Sequence, residues 1–378
     1  MARYALVWRR LAVLFGVVLI LVACGTPNTN NTQPPPTATL AVRDASAEDA
    51  YLTQLAASGT FRGSVLIAHD GMVLLSKGYG LADEARNIPN TPQTRFRIGS
   101  ITKQFTAMAI VILQERGKLQ VQDHVCLYVP DCPVDWQPIT LKHLLTHTSG
   151  IPDYINQPDF LSFIGTPATP EQLVARFKDV PLLFTPGDHW SYSNSGYTLL
   201  GYIIERVSGE TYAQFLQENI FDPLQLRDTG YDTNNPPLPQ HATGYISPHV
   251  EPVYIDMSEL YAAGALYSTV EDLERWDQAL AMGRLVSQQS LDAMFAVSIP
   301  CPAGGCGLST DLGYGYGWFI AKESNQQLIY HLGHIDGFLT FNGFYPASKL
   351  DVVVLSNLDS APVLTTSVKL GAMVLGTA

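Results

Sequence analysis

Basic residues are scarce in this 378-residue chain, which has 22 lysines and arginines against 34 aspartates and glutamates. Its formal net charge is −12 at pH 7. We expect no nucleic-acid partner, because so acidic a protein repels phosphate groups and anionic lipid surfaces. With 46% hydrophobic and 15% charged residues, the composition is that of an ordinary globular protein, so the shortage of charge does not indicate disorder.

Long hydrophobic runs are absent apart from one near the amino terminus. Three arginines precede an apolar stretch at 11–23, which is too short for a convincing membrane-spanning helix. This pattern predicts a signal peptide over residues 1–23. The stretch runs into Leu-Val-Ala-Cys, which resembles the bacterial lipobox and implies a lipid on Cys24. We therefore expect an extracytoplasmic lipoprotein on the outer face of the bacterial cell membrane. The alternative is an ordinary secreted protein with an incidental cysteine.

Cysteine is rare, and four of the five cysteines form two close pairs, Cys126 with Cys132 and Cys301 with Cys306. In an exported protein, two local disulfides are the natural interpretation. A zinc site is the alternative, but His124 is the only histidine near either pair. We expect no metal and no cofactor.

Composition and periodicity divide the rest of the chain. Residues 24–45 begin with Cys24 and are dominated by Pro, Thr, Asn and Gln, so we predict a disordered tether. Residues 46–378 have strand patterns at both ends and helical patterns between them. An α+β fold is indicated, with a mostly helical subdomain inserted at about 99–285.

Several elements of this domain are predicted individually. A helix is expected at 47–57 and another after Ala361, and Asp70-Gly71 between apolar runs predicts a hairpin. Helices are expected in the middle of the chain, at 141–145, 170–177, 195–207, 211–219 and 269–281. The carboxyl-terminal strands are predicted at 315–320, 327–331, 338–345 and 352–356.

A candidate nucleophile lies at the start of another predicted helix. Ser100 and Lys103 are three residues apart, so they share one helix face. A serine hydroxyl needs a partner to take its proton, and a lysine can be that partner if burial or neighbouring cations lower its pKa. The helix amino terminus also favours a developing negative charge. Taken alone, the motif is more typical of a capping serine beside a solvated lysine, so the assignment depends on the rest of the chain.

Two further clusters complete the set. A tyrosine beside an ammonium can have a lowered pKa, so Tyr192 is a candidate phenolate base for Ser100, although by itself it could be a core aromatic. Asn194 can hydrogen-bond both the lysine and a substrate amide. A third cluster at 331–338 follows a predicted strand, and its glycines allow a substrate backbone or acyl group to approach closely.

In their order along the chain, these motifs resemble the serine β-lactamase and penicillin-binding protein superfamily. They are S-x-x-K at 100–103, Y-x-N at 192–194 and H-x-G at 331–333, and further signatures include Leu144–Ile151 and Ala263–Thr269. Within this superfamily, the motifs most resemble those of the branch that contains class C β-lactamases, D,D-carboxypeptidases and family VIII esterases. It implies an antiparallel sheet of five or slightly more strands, flanked by the amino- and carboxyl-terminal helices.

The resemblance also implies roles. Ser100 would be the acylated nucleophile, Lys103 and Tyr192 would share the proton transfers, and Asn194 would position side chains or substrate. The oxyanion hole would be the backbone N–H groups of Ser100 and His334.

The resemblance also implies roles for the residues of the H-x-G motif. His331 would line the pocket opposite Tyr192, and Gly333 would precede the oxyanion-hole residue. Leu332 occupies a position where relatives that act on β-lactams or D-Ala-D-Ala peptides usually carry Thr or Ser, whose hydroxyl helps to hold the substrate carboxylate. A leucine here, beside a histidine that is mostly neutral at pH 7, favours an uncharged substrate. His147 is expected to be structural.

The sequence thus predicts an exported, lipid-anchored and monomeric serine hydrolase of small molecules or peptides, acting through an acyl-enzyme on an ester or amide. Two alternatives of the same chemistry are a D-Ala-D-Ala carboxypeptidase or other penicillin-binding protein, and a β-lactamase. A non-catalytic receptor for muropeptides or β-lactams is a further alternative.

Overall fold

A computed structural model describes residues 44–235, 239–302 and 306–378. The predicted signal peptide, Cys24 and nearly all of the tether lie outside these residues. None of the helices among these residues has an apolar stretch of the length that a membrane span requires. No group of three or more His, Cys, Asp and Glu side chains in this part of the chain could hold a metal ion.

The centre of the domain is an eight-stranded antiparallel sheet with the order β2-β1-β13-β12-β11-β10-β9-β8. Its strands are β1 (Gly63–His69), β2 (Met72–Tyr79), β8 (Ile299–Pro300), β9 (Asp311–Tyr314), β10 (Phe319–Glu323), β11 (Gln326–Ile335), β12 (Phe338–Tyr345) and β13 (Leu350–Ser356). Short strands form two small sheets, namely β3 (Leu81–Asp83), β4 (Ile88–Pro89), β5 (Phe96–Arg97), β6 (Gly230–Tyr231) and β7 (Leu266–Ser268).

Helices cover both faces of the large sheet. They are α1 (Ser46–Ala57), α2 (Thr102–Glu115), α3 (Leu141–Leu145), α4 (Phe160–Phe163), α5 (Pro170–Lys178), α6 (Asn194–Ser208), α7 (Tyr212–Leu216), α8 (Asp222–Leu224), α9 (Tyr261–Gly264), α10 (Val270–Ala281), α11 (Gln288–Phe295) and α12 (Val363–Leu375). Buried apolar side chains form two clusters. The outer cluster, which includes Leu52, Val65 and Leu370, packs α1 and α12 against one face of the sheet. The inner cluster, which includes Phe105, Trp276 and Val353, packs α2 and α10 against the other face. The predicted α+β fold, with terminal helices flanking an antiparallel sheet, is confirmed.

Local sequence explains why distant segments meet in this sheet. Asp70 and Gly71 both have positive φ (51° and 75°), which suits the tight turn of the β1–β2 hairpin. Strand β13 is buried on both faces, so residues 352–355 are a continuous run of Val and Leu instead of an alternating pattern. Strand β13 then pairs with both β1 and β12, which closes the sheet between the two ends of the chain.

Two strand predictions are wrong in part. Residues 315–318 form the turn between β9 and β10, although Gly-Tyr-Gly imitates strand alternation. A Cβ on Gly317, which has φ +79°, would lie 2.7 Å from the carbonyl oxygen of Lys103, so this turn packs directly on α2. In addition, β11 continues through the H-x-G motif to Ile335 instead of ending at its first residue, His331.

Both predicted disulfides are present. Cys126 is bonded to Cys132, and Cys301 is bonded to Cys306. Each bridge closes a loop of only a few residues, so each stabilises local structure and leaves the arrangement of the sheet and helices to the hydrophobic clusters.

Candidate active site

Ser100 lies in a 3-10 turn (Gly99–Ile101) that leads directly into α2. Strand β11 passes very close to this turn. A Cβ on Gly333 would lie 1.9 Å from the carbonyl oxygen of Ile98, and one on Gly99 would lie 2.9 Å from the backbone nitrogen of His334. These two glycines therefore bring the backbones of Ser100 and His334 together. The side of Gly333 on which a side chain would lie is occupied by Ile98, so this glycine makes room for the nucleophile turn.

Lys103 is completely buried one turn further along α2. Its Nζ lies 3.0 Å from Ser100 Oγ, 2.8 Å from Asn194 Oδ1 and 2.8 Å from the carbonyl oxygen of Ala263. Burial lowers the pKa of Lys103 to about 7, against the opposing effect of the Asp153 carboxylate. A substantial fraction of this amine is therefore neutral at physiological pH.

The hydrogen-bond partners of Lys103 orient its lone pair. Asn194 Nδ2 donates to Asp153 Oδ2 over 2.9 Å, which fixes the amide so that its oxygen faces the lysine. This amide oxygen and the Ala263 carbonyl oxygen accept hydrogen bonds and cannot donate them. When Lys103 is neutral, these two oxygens accept hydrogen bonds from both of its N–H groups. Its lone pair is then left for the hydroxyl of Ser100. The geometry is that of a base beside its nucleophile.

Asp153 and Ala263 are parts of the site that received no role from sequence reasoning. Asp153 follows the Leu144–Ile151 signature, and Ala263 begins the Ala263–Thr269 signature. Burial raises the pKa of Asp153, just as it lowers that of Lys103, so it opposes charge on both partners. Ser195 holds the Asp153 loop against α6, because its hydroxyl donates to the Pro152 carbonyl and accepts from the Tyr154 N–H.

Tyr192 completes the group around the nucleophile. The Lys103 Nζ lies 4.8 Å from the centre of the Tyr192 ring, and the Ser100 side chain is close enough to the phenol to lower its pKa in part. Burial raises the pKa of Tyr192 well above its ordinary value. The expected lowering by an ammonium is therefore wrong, because Lys103 is already neutral at the pH where a tyrosine would ionise. Tyr192 stays protonated and can donate a hydrogen bond.

His331 is buried on β11, with its ring centre 6.3 Å from that of Tyr192. Its Nδ1 contacts the Leu332 carbonyl and its Nε2 lies 2.9 Å from the hydroxyl of Tyr314. Burial, followed by the charge of Lys103, lowers the pKa of His331 to about 3. His331 is thus neutral at pH 7 and brings no positive charge to the site.

His147 lies behind Tyr192 in an aromatic cage. Its ring centre is 4.3 Å from that of Tyr192, 5.1 Å from that of Tyr197 and 4.8 Å from that of Tyr314. Its Nδ1 accepts a hydrogen bond from the backbone N–H of Ser193, and burial holds its pKa well below the ordinary value. These contacts position the Tyr192 segment and are consistent with the predicted structural role.

Leu332 and His334 alternate with His331 and Gly333 along β11, so their side chains lie on the other face of the strand. Leu332 is half-buried against the outer cluster, as is Tyr192. The His334 side chain is exposed, and its Nε2 lies 2.7 Å from Asp359 Oδ1. Strand β10 pairs with β11 only as far as Tyr330, which leaves one edge at 331–335 without a strand partner in the described chain.

This arrangement is a serine nucleophile, a buried amine and a protonated phenol beside an open strand edge. The sequence model of the Beta-lactamase family matches residues 49–368. The chain therefore belongs to this family, within the superfamily of serine β-lactamases and penicillin-binding proteins.

Individual relatives agree with this membership. The chain is 36% identical over 304 residues to PbpX of Bacillus subtilis, covering 79% of this chain and 71% of the relative. It is 30% identical to the octameric penicillin-binding protein homologue from Pyrococcus abyssi, with a TM-score of 0.79 and coverage of 88% and 78%. A D-stereospecific amidohydrolase from Streptomyces sp. is 27% identical, with a TM-score of 0.72 and coverage of 89% and 100%.

Proposed function

We propose that this protein is an exported, lipid-anchored serine hydrolase that forms an acyl-enzyme on Ser100, with neutral Lys103 as the acylation base. The observation that carries the proposal is the buried Lys103 amine, whose Nζ lies 3.0 Å from Ser100 Oγ and 2.8 Å from each of two oxygen acceptors. A receptor that only binds ligand has no need for a lysine with a pKa of about 7 beside a serine.

The proposed reaction proceeds in two halves. Lys103 takes the proton of Ser100 as Oγ bonds to the substrate carbonyl carbon, and the carbonyl oxygen becomes an oxyanion facing the N–H groups of Ser100 and His334. The bond to the leaving group then breaks, and the leaving group receives a proton through Tyr192 or Lys103. Water hydrolyses the Ser100 ester in the second half and restores the hydroxyl.

We propose an uncharged ester, amide or short peptide as the substrate. Neutral His331 and apolar Leu332 provide no positive charge that could bind a substrate carboxylate. Arg95 and Arg97, which could supply one, are paired with Asp228 and Asp232. The similarity to an enzyme named as a D-stereospecific amidohydrolase supports an amide in particular.

The competing candidate is a penicillin-binding protein that trims D-Ala-D-Ala peptides, favoured by relatives with that name. Mass spectrometry of the intact protein after incubation with ester, amide, D-Ala-D-Ala and β-lactam substrates distinguishes the two. We expect an acyl adduct from the ester or amide that is absent in Ser100→Ala. Unchanged labelling of Ser100→Ala by a fluorophosphonate would exclude the assigned nucleophile.

Leu332→Thr tests the substrate class directly. A hydrogen bond to a charged group contributes about 1.5–3 kcal/mol, so the new hydroxyl should raise kcat/KM for carboxylate-bearing substrates roughly ten- to a hundredfold. Hydrolysis of p-nitrophenyl acetate should change little. If the wild type hydrolyses nitrocefin as fast as it hydrolyses esters, the preference for uncharged substrates is wrong.

The proposed anchor rests on the 1–23 pattern and Cys24. Expressed in a bacterium, the wild type should enter the detergent phase and carry a lipid mass on Cys24, and Cys24→Ala should do neither. An unlipidated wild type that begins after residue 24 would contradict the anchor. We also propose a monomer, which light scattering after size exclusion tests.

A further inference from the structure

A cavity lies away from the nucleophile, at the far end of the sheet. It has a volume of about 870 Å³ and lies between α10, α11 and the turns that join β1 to β2 and β12 to β13. Strand register places it away from Ser100, because the cavity touches β11 at Ile329, whereas the nucleophile turn touches β11 at Gly333. A volume in this range is typical of small-molecule sites.

The walls of this cavity are largely apolar. Leu280, Leu291, Phe295, Ile329 and Phe344 contribute to its lining from two helices and two strands. Such walls favour an aliphatic or aromatic ligand body, because burying apolar surface contributes about 25 cal/mol per Å².

The charges in the cavity are mostly negative. Asp70, Asp292 and Asp351 line it, against a single lysine, Lys349. The Lys349 Nζ is exposed and lies 3.9 Å from Asp70 Oδ1, at the rim. A cationic ligand is therefore favoured over an anionic or neutral one.

Of the three aspartates that line the cavity, Asp351 is the one without a partner in the described chain, because Asp70 lies near Lys349 and Asp292 accepts a hydrogen bond from Gln288. Asp351 lies on the same face of β13 as Val353, beneath α10, and its carboxylate has no hydrogen bond or ion pair within the described residues. Two acids of α10 repel its negative charge: Glu274 raises the pKa of Asp351, and Asp351 in turn raises the pKa of Asp277. Asp277 Oδ2 is itself completely buried without a partner among those residues. A half-buried carboxylate with acidic neighbours and no cation is costly to ionise, and a bound cation relieves that cost.

We propose that this cavity binds an amphipathic organic cation, whose ammonium or guanidinium group pairs with Asp351 while its apolar body fills the space between α10, α11 and the sheet. The site is independent of acyl transfer, so it can be tested in the Ser100→Ala protein, where hydrolysis plays no part.

The test uses three probes with one body and different charges: 4-phenylbutylammonium, 4-phenylbutanol and 4-phenylbutyrate. Binding is measured by titration calorimetry and by protein NMR shifts. The cation should bind at least about tenfold more tightly than the other two, with shifts confined to α10, α11 and the adjoining strand ends. No cation binding at 10 mM, or equal binding of all three probes, would overturn the proposal.

Two variants locate the site, and a third is the matched control. Asp351→Asn removes the charge and should weaken cation binding at least about tenfold, without changing binding of the alcohol. Ala281→Trp, at an exposed position on the cavity wall, should abolish binding of both. Asp135→Asn removes an equally negative but distant surface charge and should change nothing. Unchanged cation affinity in Asp351→Asn or Ala281→Trp would place the ligand elsewhere and overturn the assignment.

The pH dependence gives a further check. Burial and then Glu274 raise the pKa of Asp351 to about 7. The groups that face it are Glu274 and Asp277 on α10, Asp292 on α11 and Lys349 in the adjoining turn. Affinity for the cation should therefore rise between pH 6 and pH 8 as Asp351 ionises. Affinity that falls over this interval would contradict the pairing.

Discussion

Lys103 and Gln104 are neighbours on α2, yet they belong to two buried polar networks that differ in how completely they are satisfied. Around Lys103, every hydrogen-bonding direction of the amine has a partner. Gln104 Oε1 accepts from Trp276 and Asn342, and Asn342 also donates to Asp277. In this second network one atom each of Gln104, Asn342 and Asp277 is buried without a partner among the described residues.

The difference separates a group that is buried for chemistry from groups that cost stability. Complete coordination of Lys103 leaves one amine poised between charged and neutral forms, which proton transfer requires. An unsatisfied buried group costs roughly 1–3 kcal/mol, so the Gln104 network reduces the stability of the fold. We therefore expect substitutions in the first network to act on activity and those in the second to act on stability.

Substituting Lys103 and Gln104 in turn is the strongest test of this difference between the two networks. Lys103→Met should lower kcat/KM for p-nitrophenyl acetate by roughly 10³-fold or more, because Ser100 loses its base. Gln104→Leu should leave kcat/KM within a few-fold of the wild type while changing the thermal midpoint. The comparison fails if Gln104→Leu is as inactive as Lys103→Met while still folded by circular dichroism.

Gly333→Ala attacks the first network through the backbone. The added methyl would lie 1.9 Å from the Ile98 carbonyl oxygen, so β11 must move away from the Ser100 turn. We expect a loss of about a hundredfold or more in kcat/KM, since one oxyanion-hole donor alone contributes about that much. Gly165→Ala is the matched control, because its nearest neighbour lies at 3.6 Å. Equal activity of both variants would contradict the role assigned to this close approach.

Much of this architecture could be predicted from local sequence. The β1–β2 hairpin and the capped helix α3 follow from turn chemistry and from an N-cap threonine, Thr140, which are properties of neighbouring residues. The order of the three motifs also predicted that Ser100, Lys103 and Tyr192 would meet.

The remainder depends on contacts between distant segments. Nothing local reveals that Gly333 makes room for Ile98 or that the Ala263 carbonyl oxygen binds Lys103, because both contacts join segments far apart in the chain. The protonation of Tyr192 could not be predicted either, since it depends on how deeply the fold buries the phenol and on the pKa of Lys103.

The dependence of kcat/KM on pH tests the Lys103 network through a smaller expected effect. Neutral Lys103 is the active form, so kcat/KM should rise about tenfold per pH unit below pH 7 and level off above it. Asp153 favours the ammonium, and Asp153→Asn should therefore move the midpoint to lower pH. Stopped-flow rates with a pH-insensitive ester measure both curves. A wild-type midpoint near 10 would mean that Lys103 is a solvated ammonium.

The smallest expected effect concerns stability. The pH dependence of stability has opposite signs for Lys103 and for Asp351, which lies beneath α10. Burial raises the pKa of Asp351 to about 7, against about 3.9 in an unfolded chain. Between these values the folded state holds the proton more tightly, so the free energy of unfolding falls as pH rises from 4 to 7. Lys103 acts in the opposite direction at higher pH, because its lowered pKa makes stability rise between pH 7 and about 10.

Asp351→Asn should therefore match the wild type near pH 4 and exceed it by on the order of 1–3 kcal/mol at pH 8, since one pKa unit corresponds to about 1.4 kcal/mol and partial exposure reduces the full shift. Urea unfolding at both pH values measures the difference, with Asp135→Asn as the exposed control that should change little at either. A variant less stable than the wild type at pH 8 would show that the Asp351 carboxylate is satisfied in the folded protein. The contrast between a complete network at Lys103 and an incomplete one beneath α10 would then be wrong.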